Sequence, residues 1–161
     1  MGTLTLTNGA KYIGNFRNGK YHGKGIFLYP SGDKYEGDFK LGMKNGKGVL
    51  FFSSGGKYIG EFINDDFHGK GELFKANGDR LVGNFIKGML EGYGINYYPS
   101  GDRYEGPFRQ GKMHGQGNFY FKLGDSYEGK FEDDKIGRYG VYTDIRGKVI
   151  QGNLFGKLLL P

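Results

Sequence analysis

The chain has 161 residues and no cysteine, which excludes a disulfide frame and a thiolate metal site. Its net charge of +6 comes from 23 basic and 17 acidic residues mixed along the chain, as in Asp33, Lys34, Glu36, Asp38 and Lys40, so no block of like charge builds a nucleic-acid arm. No apolar run approaches the roughly 18 residues a membrane helix needs, and Met1 to Thr7 is too short and polar for a secretory signal, so we expect a soluble, intracellular protein.

In chain order, residues 2–11 read as a half-unit, with Leu4 to Thr7 as its strand. Tyr12, Gly14 and Phe16 then alternate with Ile13, Asn15 and Arg17, the period of a strand. Asn18-Gly19 is a hairpin turn, because both residues tolerate positive φ. After Gly23-Lys24-Gly25, the run Ile26 to Tyr29 predicts a second short strand, and Pro30-Ser31-Gly32-Asp33 a second turn. The pattern returns every 23 residues. Full units start at Tyr12, Tyr35, Tyr58, Leu81, Tyr104 and Tyr127, each followed by a glycine two residues on and a phenylalanine four residues on. Residues 150–161, beginning Ile150-Gln-Gly152-Asn-Leu154, read as a degenerate C-terminal cap, with Leu158 to Leu160 either capping the last strand or contacting another copy. Such a period marks one repeat array spanning 1–161, all-β and antiparallel. Glycine recurs too often for a helix, at roughly 1 kcal/mol per interior position.

Glycine inside a strand marks close approach by another group. Here a large ring can lie over bare backbone on the adjacent strand. The rings that should form continuous rows, and that are our candidates for a partner-binding groove, are Tyr12, Phe16, Tyr35, Phe39, Tyr58, Phe62, Phe85, Tyr104, Phe108, Tyr127 and Phe131. Second strands add Tyr29, Phe52, Tyr98 and Phe121. For most of these rings the first reading is simply core; an exposed apolar stripe of this length would be a recognition surface.

No catalytic constellation is present, so no enzyme, cofactor or metal is expected. Gly14-Asn-Phe-Arg-Asn-Gly19-Lys20 approaches a phosphate-binding loop, but Tyr21 stands where Ser or Thr would hold magnesium, and the glycine spacing belongs to the repeat. His22, His68 and His114 recur every second unit. Equivalent positions that far apart lie about 19 Å from each other, too far to share a metal. Asp65-Asp66 and Asp133-Asp134 fall in turns, where aspartate bonds local backbone.

Tyr35-Glu-Gly-Asp-Phe-Lys-Leu-Gly42 with Gly46-Lys-Gly48, and Tyr104-Glu-Gly-Pro-Phe-Arg-Gln-Gly111 with His114-Gly-Gln-Gly117, resemble the MORN (membrane occupation and recognition nexus) repeat. Leu81, Glu91, Asp65, Asp134 and Gly137-Arg138 depart from that pattern. The resemblance implies an elongated, twisted, single-layer antiparallel sheet with one grooved face. It also implies a scaffold or adapter at cytoskeletal, ciliary, flagellar or membrane-apposed structures, docking an extended or helical partner segment. Our leading expectation is therefore a non-enzymatic adapter that binds a protein segment along an aromatic groove. The alternatives are a phospholipid-binding membrane-surface module and a self-associating scaffold. Acidic residues along the same strands argue against single-stranded nucleic acid.

Overall fold

The computed structural model describes residues 1–154; the expected tail contact of Leu158 to Leu160 lies outside the described residues. The strands are β1 (Gly2–Thr5), β2 (Lys11–Arg17), β3 (Lys20–Leu28), β4 (Lys34–Lys40), β5 (Met43–Phe51), β6 (Gly56–Ile63), β7 (Asp66–Lys75), β8 (Arg80–Ile86), β9 (Met89–Tyr97), β10 (Arg103–Arg109), β11 (Lys112–Met113), β12 (Gly115–Tyr120), β13 (Ser126–Glu132), β14 (Lys135–Thr143) and β15 (Val149–Asn153). They form one open antiparallel sheet in sequence order, with the two-residue β11 pairing β10 off the main path. No helix occurs among the described residues.

The hairpin turns follow from their residues. Asn18 and Gly19 both adopt positive φ, 50° and 72°, the geometry that matches the twist of flanking strands. Leu41-Gly42, Asn64-Asp65, Lys87-Gly88, Gln110-Gly111 and Asp133-Asp134 repeat it. Each of these five later turns also bonds the preceding repeat: Gly42 N–H donates to the Tyr21 carbonyl at 3.0 Å, and Asp65 N–H to that of Lys44 at 3.1 Å. The opposite turns are tied too, since Asp33 Oδ1 accepts the Ser53 N–H at 2.7 Å and Asp102 Oδ1 that of Lys122 at 2.8 Å. Asp65 and Asp134 depart from the expected local bonding, because their carboxylates accept the N–H groups of Lys44 and Met113 in the repeat before.

Second strands begin six residues earlier than expected, at Lys20 rather than Ile26. Pairing runs Phe16↔Tyr21 and then Gly14↔Gly25, so His22, Gly23 and Lys24 bulge against Asn15. Gly23, at φ 63°, supplies the backbone freedom that keeps both flanks paired. The alternation seen in the sequence thus continues through a bulge that its glycines conceal.

By compactness the chain divides into a first unit, residues 1–78 with 85–88, and a second, residues 79–84 with 89–161. The core of the first unit is Ala10, Tyr12, Tyr35, Phe39, Tyr58, Phe62 and Phe85; that of the second is Leu81, Leu90, Tyr104, Phe108, Met113, Phe119, Tyr127, Phe131 and Leu154.

Candidate functional site

The tyrosine rows are built one ring at a time. Tyr12 shares a face with Gly14 and with Gly25 across the hairpin, and a Cβ at Gly25 would lie 2.5–2.7 Å from its ring. Tyr35, Tyr58, Tyr104 and Tyr127 cover the corresponding glycines in the same way. The Tyr12 hydroxyl donates to the Asn15 carbonyl at 2.7 Å; Tyr35 and Tyr104 do so to Asp38 and Pro107, each at 2.9 Å. Every one of the five rings is 0% exposed. Burial pushes the phenols of Tyr35 and Tyr104 far up and that of Tyr58 up to about 12. Phenylalanines tie the rows edge to face: Tyr12–Phe39 at 5.1 Å, Tyr35–Phe62 at 4.9 Å, Tyr58–Phe85 at 5.1 Å and Tyr104–Phe131 at 4.7 Å between centroids.

The fifteen candidate rings therefore separate into two groups. Tyr12, Tyr35, Phe39, Tyr58, Phe62, Phe85, Tyr104, Phe108, Tyr127 and Phe131 are buried. Phe16 is 38% exposed. Tyr29, Phe52, Tyr98 and Phe121 are half-buried and hold one repeated position beside the second turns. In the first unit Tyr29 lies 4.6 Å from Phe27, and Phe52 lies 6.4 Å from Phe67. In the second unit Tyr98 and Phe121 flank the buried Phe119, at 5.6 and 4.9 Å.

A covering layer lies over the tyrosines. Tyr21 stacks on Tyr12 at 4.0 Å, and Phe67 on Tyr58 at 3.8 Å. The same register position holds Lys44, Leu90, Met113 and Ile136. Leu90 compensates for Leu81, its side chain closing over Gly83 and Gly94 where other units place the tyrosine. Lys44 is 9% exposed. Its Nζ donates to the Tyr29 hydroxyl at 3.0 Å, sits 3.7 Å from Asp65 Oδ1, and lies over the rings of Tyr29 and Tyr35. The signal available was the shared register with apolar or aromatic residues in all five other units.

Two further hollows involve side chains outside the ring rows. In the first unit a cavity of about 510 Å³ is floored by Gly37, Gly48 and Gly60 and walled by Val49, Ile59, Lys24, Lys47 and Lys70, with Glu36 and Glu61 between them. At the turn end of the same unit a second hollow is lined by Arg17, Lys20, His22 and Lys40. Among the described residues no cluster of His, Asp and Glu has the geometry to hold a metal ion.

No curated protein matches this sequence. Among solved structures, the TCP10c domain of Drosophila melanogaster Sas-4 is similar with a TM-score of 0.55 at 10% identity, over 94% of this chain and 90% of that one. The Drosophila Sas-4 TCP domain in complex with a proline-rich motif of Ana2 gives a TM-score of 0.54 at 11% identity, over 92% and 86%. At such identity the likeness is one of fold. The MORN repeat profile matches residues 12–34, 35–57, 58–80, 82–103, 104–126 and 127–149. The chain belongs to the MORN repeat family.

Proposed function

We propose that this chain is a non-enzymatic scaffold that holds a segment of a partner protein against its sheet, within a cytoskeletal assembly. The observation that carries this reading is the row of half-buried rings Tyr29, Phe52, Tyr98 and Phe121, returning at one repeat position beside a fully packed inner layer. The inner rings are spent on the fold. The outer ones keep accessible area on rigid backbone, and Tyr and Phe in that setting make good anchors at low entropic cost. The fold likeness to a domain solved in complex with a proline-rich motif supports peptide binding as a use of such a sheet. The test is affinity for a partner identified from native extract and then purified. Tyr29→Ser with Phe52→Ser, and separately Tyr98→Ser with Phe121→Ser, should weaken binding at least about tenfold for each anchor pair that the segment touches. Unchanged affinity in both double variants, with unchanged circular dichroism, would sink the reading.

A further inference from the structure

The hollow at the turn end of the first unit has a volume of about 480 Å³ and is lined by Arg17, Asn18, Lys20, His22, Lys40 and Leu41. No carboxylate lines it. Arg17, Lys20 and Lys40 make no ion pair among the described residues. Three cationic groups thus converge on one concavity beside the His22 ring.

The repeat supplies its own comparison. Four periods further on, in the second unit, the equivalent residues are Arg109, Gln110, Lys112, His114, Glu132 and Asp133. There Asp133 Oδ1 lies 3.8 Å from Arg109 Nη2 and 3.9 Å from His114 Nδ1. The position of Asp133 is that of Leu41, and the two share a backbone conformation, φ 48° and 54°. Glu132 likewise holds the position of Lys40. The equivalent basic side chains of the second unit are therefore neutralised by carboxylates of their own chain. The first unit keeps the arginine, the lysine and the histidine, adds Lys40, and has a leucine where the counter-ion stands.

We propose that the hollow formed by Arg17, Lys20, His22 and Lys40 is an anion site that receives a carboxylate side chain from an acidic segment of a partner protein, in the place that Asp133 fills in the second unit. The ligand class follows from the stand-in: a carboxylate at ion-pair distance from a guanidinium and beside an imidazole, a setting that arginine favours. A flat anionic bilayer fits less well, because Asp33, Glu36 and Asp38 are interspersed with the basic residues of the same repeats. The proposal rests on the protein-binding reading but uses a different part of the surface from the aromatic row.

The probe is fluorescein-labelled hexaglutamate, with hexaglutamine as the neutral control, followed by anisotropy at low and moderate salt. We expect binding at one site that weakens with salt. Leu41→Asp places the missing carboxylate in cis, on a residue 57% exposed whose φ aspartate tolerates, so the fold should be kept. It should lose about tenfold or more in affinity, as should Arg17→Gln, whereas Leu41→Asn should bind like the parent chain. Conversely, Glu132→Lys with Asp133→Leu should raise the stoichiometry from one to two. The Tyr29→Ser, Phe52→Ser variant should bind hexaglutamate normally, which separates failure of this site from failure of the aromatic row. Equal binding of hexaglutamate by Leu41→Asp and the parent chain, equal binding of hexaglutamine and hexaglutamate, or a stoichiometry fixed at one would each overturn the assignment. So would tighter binding to phosphatidylserine vesicles than to the peptide, lost in Leu41→Asp, since it would make the ligand a membrane.

Discussion

A tyrosine at the head of a unit and two glycines form one packing element, because the ring occupies the volume that two β-carbons would need. Gly25→Ala would bring its methyl group to 2.5–2.7 Å from Tyr12, with rigid sheet beneath, so the ring must leave its place. Overpacking of this kind costs about 1–3 kcal/mol, and we expect Gly25→Ala at the upper end in urea unfolding. Tyr35→Phe keeps the ring and removes only the bond to the Asp38 carbonyl, so its cost should be near 1 kcal/mol. An equal cost for both would mean that the hydroxyl rather than ring-on-glycine packing sets the stability. Burial also links these phenols to pH. Desolvation favours the neutral form, so the folded-state values of Tyr35, Tyr58 and Tyr104 lie above the ordinary value of 10. The stabilisation is complete below pH 10 and is lost as pH rises through the folded values, reaching about 12 for Tyr58. The urea midpoint should hold steady up to pH 10 and fall beyond it, while phenolate absorbance of the folded protein lags behind that of the unfolded chain.

The hairpin turn acts as both reversal and clasp. Asp65 sits at φ 74°, a strained place for any residue but glycine, while its carboxylate accepts the Lys44 N–H at 2.9 Å. Asp65→Gly relieves the backbone but loses the bond and the carboxylate beside Lys44 Nζ, so it should cost about 1 kcal/mol, less than alanine at the same place. Asp65→Ala makes the same losses and keeps the strain, and should cost about 2–3 kcal/mol. If alanine proves as stable as glycine, the positive φ is not what the position demands. This element also shows where sequence reading stops. Asn18-Gly19 was legible as a turn because both residue types point to one geometry. The reach of the Asp65 carboxylate into the repeat before it was not, since aspartate in a turn ordinarily bonds its own neighbours. The bulge at His22 to Lys24 escaped because Gly23 and Gly25 look alike in sequence, yet Gly23 frees the backbone while Gly25 makes room for Tyr12. Of the candidate rings, the period located every one, but which kept accessible area depended on what covers them. Tyr21, Lys44 and Phe67 lie in an apolar register interrupted by a lysine, and a lysine is ordinarily read as solvated. The basic hollow was hidden because it joins Arg17 and His22 to Lys40 and Leu41 from the following repeat.

At the scale of the whole molecule, each repeat contacts its neighbours through the same positions, so stability should propagate from neighbour to neighbour rather than from one centre. Excising residues 35–57 tests this directly. The cut removes one full period and brings Tyr58 and Phe62 to the places of Tyr35 and Phe39. Phe62 then meets Tyr12 as Phe39 does, and the clasp from Asp65 meets Tyr21 where Gly42 did. All rings and glycines return to register, so the shortened chain should fold cooperatively. Its urea m-value should drop by about one-seventh, the share of 23 residues in 161, because m follows the surface exposed on unfolding. Removing residues 35–46 instead deletes β4 with its turn and part of β5. The rest of β5 then follows β3, whose parallel placement no short turn can join. That chain should lose the cooperative transition, and the pair of deletions separates dependence on register from dependence on length. A half-period deletion that unfolded as sharply as the full one would show that chain length, not the phase of tyrosine against glycine, holds the array together.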